Sequence, residues 1–318
     1  MSAARGEHRD LRAAAEGRQS LREHGSTFHL AHLALGQVAA ERVHLVYGFC
    51  RYVDDLADEN EPPVARRELA RVRDALRSGA ADHPAIEGYL RFCSECSVDD
   101  RVTDEFLAGV EQDLVRSTYE TEAQLLRYCF RVAGTVGLLM CSLFDVDDEE
   151  AGPFAIDLGI GMQLTNICRD VLEDADRGRV YLPAESPGGQ LAAADLAARD
   201  PAAVAKARES VEALLDLADR YYRSADAGMR YLPARARLAV LVASRCYEAI
   251  GARIRSHPPE GLPDRAFVGG PRKAVHATRA LTAWTDAAAS RLVRRARLHC
   301  PDLHTALVGK PGADVRAG

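Results

Sequence analysis

At 318 residues, 47% hydrophobic and 28% charged with a formal net charge of −6, the chain is long enough to bury a sizeable core. It carries no basic excess of the kind that marks a nucleic-acid binder. The first twenty residues are charged throughout and lack the apolar stretch of a secretory signal, and no uninterrupted apolar run approaches the ~18 residues of a membrane span, so a cytoplasmic protein is expected. The eight cysteines read as reduced core thiols. The C-x-x-C at Cys93–Cys96 has no partner at zinc-ligand spacing and is read as packing.

Apolar residues recur at spacings of three and four, and alternating strand patterns are scarce. The expectation is an all-α protein of eight to twelve helices in a single domain spanning 21–300, with flexible tails at 1–20 and 301–318. Breaks are expected at Asn60–Pro63, Ser78–Pro84, Pro183–Gln190, Ser256–Asp264 and Gly269–Gly270.

The first element with chemical content is the stretch FCRYVDDLADE, Phe49–Glu59. Wound as a helix, it puts Tyr47, Arg51, Asp54 and Asp58 within roughly 60° of one another, with Leu45, Phe49, Val53 and Leu56 opposite. An i, i+4 carboxylate pair destabilises a helix unless positive charge sits over it. Taken alone, it reads more simply as a solvated face with Arg51 as counter-charge.

Further along, YCFRVAGTVGLLM, Tyr128–Met140, offers small residues at Ala133, Gly134 and Gly137. A second acidic helix is expected over Phe154–Pro183, where Gln163, Asn166, Asp170 and Asp174 form one stripe with apolar residues on both flanks. Such a stripe suits the wall of an interior cavity, where carboxylates are costly unless paired or metal-bound. Gly159 and Gly161 weaken this helix and imply close approach of a backbone or a ligand.

Two aspartate pairs on separate helices, each with an arginine nearby, suggest a shared charged ligand. Oxygen-only donors without clustered histidine or thiolate favour magnesium, which is commonly completed by substrate phosphates. A diphosphate bridged by metal, with a hydrocarbon in the apolar surroundings, meets both demands.

At this point YGFCRYVDDLADE and GMQLTNICRDVLEDADRGRVYLP resemble the two aspartate-rich motifs of the squalene and phytoene synthases. HGSTF near the start, YCFRVAGTVG, YLP at Tyr231–Pro233 and RAFVGGPRK at Arg265–Lys273 extend the similarity from about His24 to Trp284. The resemblance implies an isoprenoid-synthase helical bundle around a central cavity. It implies magnesium, or manganese in its place, on Asp54, Asp58, Asp170 and Asp174. Substrate contacts would come from His24, Thr27, Arg51, Gln163, Asn166, Arg169, Arg179 and Arg265, and Tyr47, Tyr128 and Tyr247 would act around the reacting carbons. Asp113 is a further metal-side contact by the same reasoning.

The implied reaction is a head-to-head condensation of two allylic diphosphates, expected to give phytoene from geranylgeranyl diphosphate. Farnesyl coupling to presqualene diphosphate, squalene or dehydrosqualene is the alternative, and NADPH is needed only for squalene. The chain departs from the common pattern where LALGQVAAERVH lacks a Leu-Pro and where Ser117–Thr118 replaces an Arg-Tyr type pair. These differences leave room for prenyl transfer to a non-isoprenoid acceptor. A non-enzymatic helical interaction protein, whose acidic helices are simply solvated, is the remaining reading. Insoluble products would favour loose contact with the inner membrane, and the chain is read as a monomer or a homodimer.

Overall fold

A computed structural model describes residues 35–115, 117–258, 261–263 and 299–313. His24, Thr27 and Arg265 lie outside them. Among the described residues there are ten α-helices and no sheet. They are α1 Gln37–Asp58, α2 Pro62–Ser78, α3 Pro84–Cys96, α4 Asp100–Asp113, α5 Glu122–Cys129, α6 Thr135–Leu143, α7 Ala151–Asp176, α8 Ala193–Ala197, α9 Pro201–Gly228 and α10 Ala234–Arg255.

The breaks fall where the sequence lacks a way to continue a helix. Pro62 and Pro84 occupy first turns, and Gly79 ends α2 in the left-handed region at φ 69°. Side-chain oxygens of Asp99, Thr121 and Asp200 cap α4, α5 and α9 by accepting from backbone N–H groups. The second acidic helix stops earlier than its apolar pattern suggested. Gly178, at φ 76°, turns the chain, and the GRVYLP segment runs on as a loop. Val180 N–H donates to Ser117 O at 2.7 Å and Ala184 N–H to Tyr119 O at 2.9 Å, which fastens that loop beside the approach to α5.

Helix α7 is the axis of the bundle and packs against α9, α10 and α6. Between α5 and α6 lies one π-helical turn, Phe130–Gly134, a distortion frequent at functional sites. Here it coincides with near backbone contact between helices. A Cβ on Gly159 would lie 2.2 Å from Ala133 O, and one on Gly137 would lie 2.1 Å from Ala155 O. The close approach that Gly159 signalled in the sequence is therefore a helix crossing. A Cβ on Gly161 would instead meet the side chains of Tyr221 and Tyr222 at an ordinary 3.4 Å.

The run Glu122–Leu143, with mean hydropathy 1.2, is the one helical stretch among the described residues long and apolar enough to cross a membrane. It packs on α7, and Arg127 and Arg131 interrupt its apolar character. The carboxyl-terminal segment differs from the expected tail. Pro301–Leu307 forms a 3-10 helix and buries Leu303, His304 and Leu307, because its apolar side chains complete the core around α5 and α7.

The crossing predicts the cost of a single methyl group. Gly137→Ala should destabilise the protein by roughly 1–3 kcal/mol or more through overpacking, read as a lower midpoint in urea unfolding. An unchanged midpoint would show that the helices are not in contact there.

Candidate active site

A cavity of about 400 Å³ runs between α1, α6, α7 and α10. Its walls are mainly apolar, including Val43, Val136, Met140, Leu158 and Met162. One end is polar, where Asp54 and Tyr47 from α1 meet Gln163 and Asn166 from α7 and Tyr247 from α10. The two helices read from the sequence as carboxylate-bearing thus face the same space.

The Asp54 side chain is open to the cavity yet enclosed by protein walls. Burial, followed by the Asp58 carboxylate, pushes its pKa up to about 7 against the pull of Arg51. On α7, burial and the neighbouring Asp170 raise Asp174 to about 7 as well. Asp170 takes a forked contact from Arg169 at 2.7 and 2.5 Å. Arg51 pairs with Asp55 one turn on. Arg179, just past the end of α7, lies 3.8 Å from Asp58 and lowers the Asp174 pKa through its charge. It therefore ties the two acidic helix ends together.

Asp113, at the end of α4, stands behind this end. Its carboxylate accepts from Tyr128 at 2.8 Å and Tyr181 at 3.0 Å, and burial raises its pKa to about 6 despite those bonds. The rings of Tyr119, Tyr128 and Tyr181 pack together at 5.3–5.8 Å. Tyr128, expected beside the reacting carbons, is instead buried with its hydroxyl spent on Asp113, and it does not line the cavity. Tyr47 and Tyr247 do line it, and Tyr247 is in hydrogen-bonding contact with Asn166 and Arg169. Sequence inspection did not single out Tyr181, although it sits in the conspicuous GRVYLP segment.

Do these residues suit a hard cation? The donors are oxygens, and more carboxylate is gathered than the arginines pair. Asn166 Oδ1 is buried with no hydrogen-bond partner, which leaves a buried oxygen able to coordinate an ion. The set fits magnesium.

A second cluster was missed in the sequence, which was read as having no clustered histidine. Asp157, fully buried on α7, accepts hydrogen bonds at 2.9 Å from both His299 and His304. The three ligand atoms lie within 4.8 Å of one another, a spacing that could hold a divalent ion. Imidazole donors suit zinc better than magnesium. Burial pushes the Asp157 pKa up, but the two imidazoles outweigh it and hold the group below the usual carboxylate value. The available signal was a pair of histidines five residues apart and a lone aspartate in an apolar helix.

The family described as Squalene/phytoene synthase matches residues 21–280. The chain is 32% identical over 253 residues to a phytoene synthase of Pseudescherichia vulneris, covering 75% of this chain and 81% of the relative. It is 34% identical over 236 residues to a presqualene diphosphate synthase of Sinorhizobium fredii, covering 71% and 82%. In fold it is similar to a dehydrosqualene synthase crystal structure, with a TM-score of 0.74 at 24% identity over 87% of this chain and 98% of that one. A squalene synthase from Alicyclobacillus acidocaldarius gives 0.66 at 24% identity, over 77% and 93%.

The raised carboxylates set a pH dependence. Asp54 and Asp174 keep protons in the folded state that the unfolded chain releases, so their contribution to stability without metal falls as pH rises from about 4 to about 7. Asp54→Asn removes that penalty, and its melting temperature should exceed that of the wild type by roughly 2–4 °C at pH ~8 and match it below pH ~4. Equal melting at both values would place Asp54 in ordinary solvent.

Proposed function

Because the chain belongs to the squalene/phytoene synthase family, a family of prenyltransferases that condense isoprenyl diphosphates head to head, we propose that it couples two molecules of geranylgeranyl diphosphate to phytoene by way of prephytoene diphosphate. The observation that carries this reading is the apolar cavity with Asp54, Gln163 and Asn166 at one end, which matches an amphiphile with an anionic head. Relatives bearing the phytoene synthase name in several bacteria support the chain length. The Sinorhizobium relative supports a second reading, coupling of farnesyl diphosphate to presqualene diphosphate.

On this reading Asp54, Asp58, Asp170 and Asp174 would hold magnesium, with Asn166 Oδ1 completing the oxygen set. Magnesium when bound supplies Lewis-acid polarisation of the diphosphate leaving group. Arg51, Arg169 and Arg179 supply the forked donors that phosphate oxygens accept, with His24, Thr27 and Arg265 as further substrate contacts. Arg169 must then exchange part of its contact with Asp170 for substrate. The aromatic faces of Tyr47 and Tyr247 border the cavity where an allylic cation would form, and ring faces attract cations. The apolar walls exclude water that would quench such a cation. Tyr128 acts at one remove, fixing Asp113 behind the carboxylates. We place the enzyme in the cytoplasm, in loose contact with the inner membrane that receives its hydrocarbon product.

The test incubates purified protein with geranylgeranyl or farnesyl diphosphate, with magnesium or EDTA, and identifies the extracted hydrocarbon. Phytoene should form from the longer substrate, and Asp54→Asn or Asp170→Asn should lower turnover by at least ~10²-fold with the helical circular dichroism unchanged. Full activity in EDTA or in either variant would contradict the metal assignment. Exclusive use of farnesyl diphosphate would select the second reading.

A further inference from the structure

Phe154 lines the cavity toward the end opposite the carboxylates. Along α7 this residue precedes Asn166 by twelve positions, about 18 Å at the helical rise, and its ring borders the same space. That ring is held from several sides. It stacks near Tyr231 with centroids 5.9 Å apart, and the Arg230 guanidinium lies 5.7 Å from its centroid. A Cβ on Gly228 would fall 2.2 Å from Phe154 Cβ, so α9 presses against the base of the side chain. His299 meets the ring edge-on at 5.3 Å.

His299 is itself fixed by Asp157, one turn further along α7. The same carboxylate holds His304 through its other oxygen, and the two imidazoles lie 4.3 Å apart. His304 Nδ1 reaches Ala313 O at 2.9 Å, which ties in the end of the described chain. A buried carboxylate with two imidazoles confers little stability that apolar residues could not supply. What it adds is direction, because hydrogen bonds at 2.9 Å fix where each ring stands.

We propose that Asp157, His299 and His304 form a clasp that makes the carboxyl-terminal segment a positioning element of the cavity, holding Phe154 as its end wall and so setting the longest isoprenyl chain accepted. This rests on the isoprenyl diphosphate reading above and deepens it. Phe154 touches the hydrocarbon, and the clasp acts through Phe154.

The experiment measures binding, in magnesium, of non-ionising thiolodiphosphates carrying farnesyl, geranylgeranyl and geranylfarnesyl chains to the full-length protein, together with the melting temperature. Phe154→Leu should raise the affinity for the geranylfarnesyl analogue relative to the geranylgeranyl one roughly tenfold, the worth of about two newly buried methylenes. His299→Ala should move the same ratio in the same direction, by roughly threefold. A melting temperature that falls while the ratio stays fixed in both variants would show the clasp to be structural only and overturn the proposal. If the wild type binds none of the three analogues, the isoprenyl diphosphate reading falls and the proposal with it. Wild-type binding with an unmoved ratio overturns the proposal alone.

Discussion

The arrangement depends on carboxylates being held close to one another at the mouth of an apolar cavity. Like charges at i, i+4 on one helix repel, and α1 and α7, each carrying such a pair, border one cavity. Asp54 and Asp174 respond by retaining protons up to about pH 7. A chain selected only for stability would replace them. Their presence makes sense where a cation and a polyanion arrive together, for then the burial that penalises the empty site strengthens every contact in the filled one.

The scaffold keeps these groups in place by rigid means. Helix α7 carries Gln163, Asn166, Asp170 and Asp174 on one stripe, and its crossing with the π turn and α6 is close enough that Gly159 and Gly137 tolerate no side chain. The same crossing supplies Ala133, Gly137, Ala155 and Gly159 to the cavity wall. Room for substrate and helix contact thus come from one set of small residues. For that reason Gly137 is unsuited to tuning substrate length by substitution: a side chain there would enter the backbone of α7 before it reached the cavity. Behind the carboxylates, Asp113 and its tyrosines form a second layer that orients without touching the cavity.

The all-α fold, the helix breaks that fall among the described residues and the carboxylate stripes were legible because each rests on local periodicity, while the expected break at Gly269–Gly270 lies outside those residues, and Asp54, Gln163, Asn166, Tyr47 and Tyr247 do meet at one cavity. Two other features were not. Tyr128 sits in a conspicuous motif, but whether its hydroxyl turns to the cavity or to Asp113 depends on how α4 lies against α5, which no spacing records. The Asp157 clasp joins residues 142 and 147 positions apart. His299 ends the expected domain and His304 falls in a segment whose proline and glycine content reads as a tail, and the packing of Leu303, Leu307 and Ala313 draws that segment into the core.

Proton release on metal binding tests the central claim most directly. Titrating magnesium chloride into the wild-type protein at pH ~7, in buffers of different protonation enthalpy, counts the protons expelled as the ion binds. If Asp54 and Asp174 are metal ligands that are each about half protonated at that pH, about one proton should leave per chain. Magnesium binding with no proton release would contradict the account, since the ion would then be held elsewhere than on the crowded carboxylates.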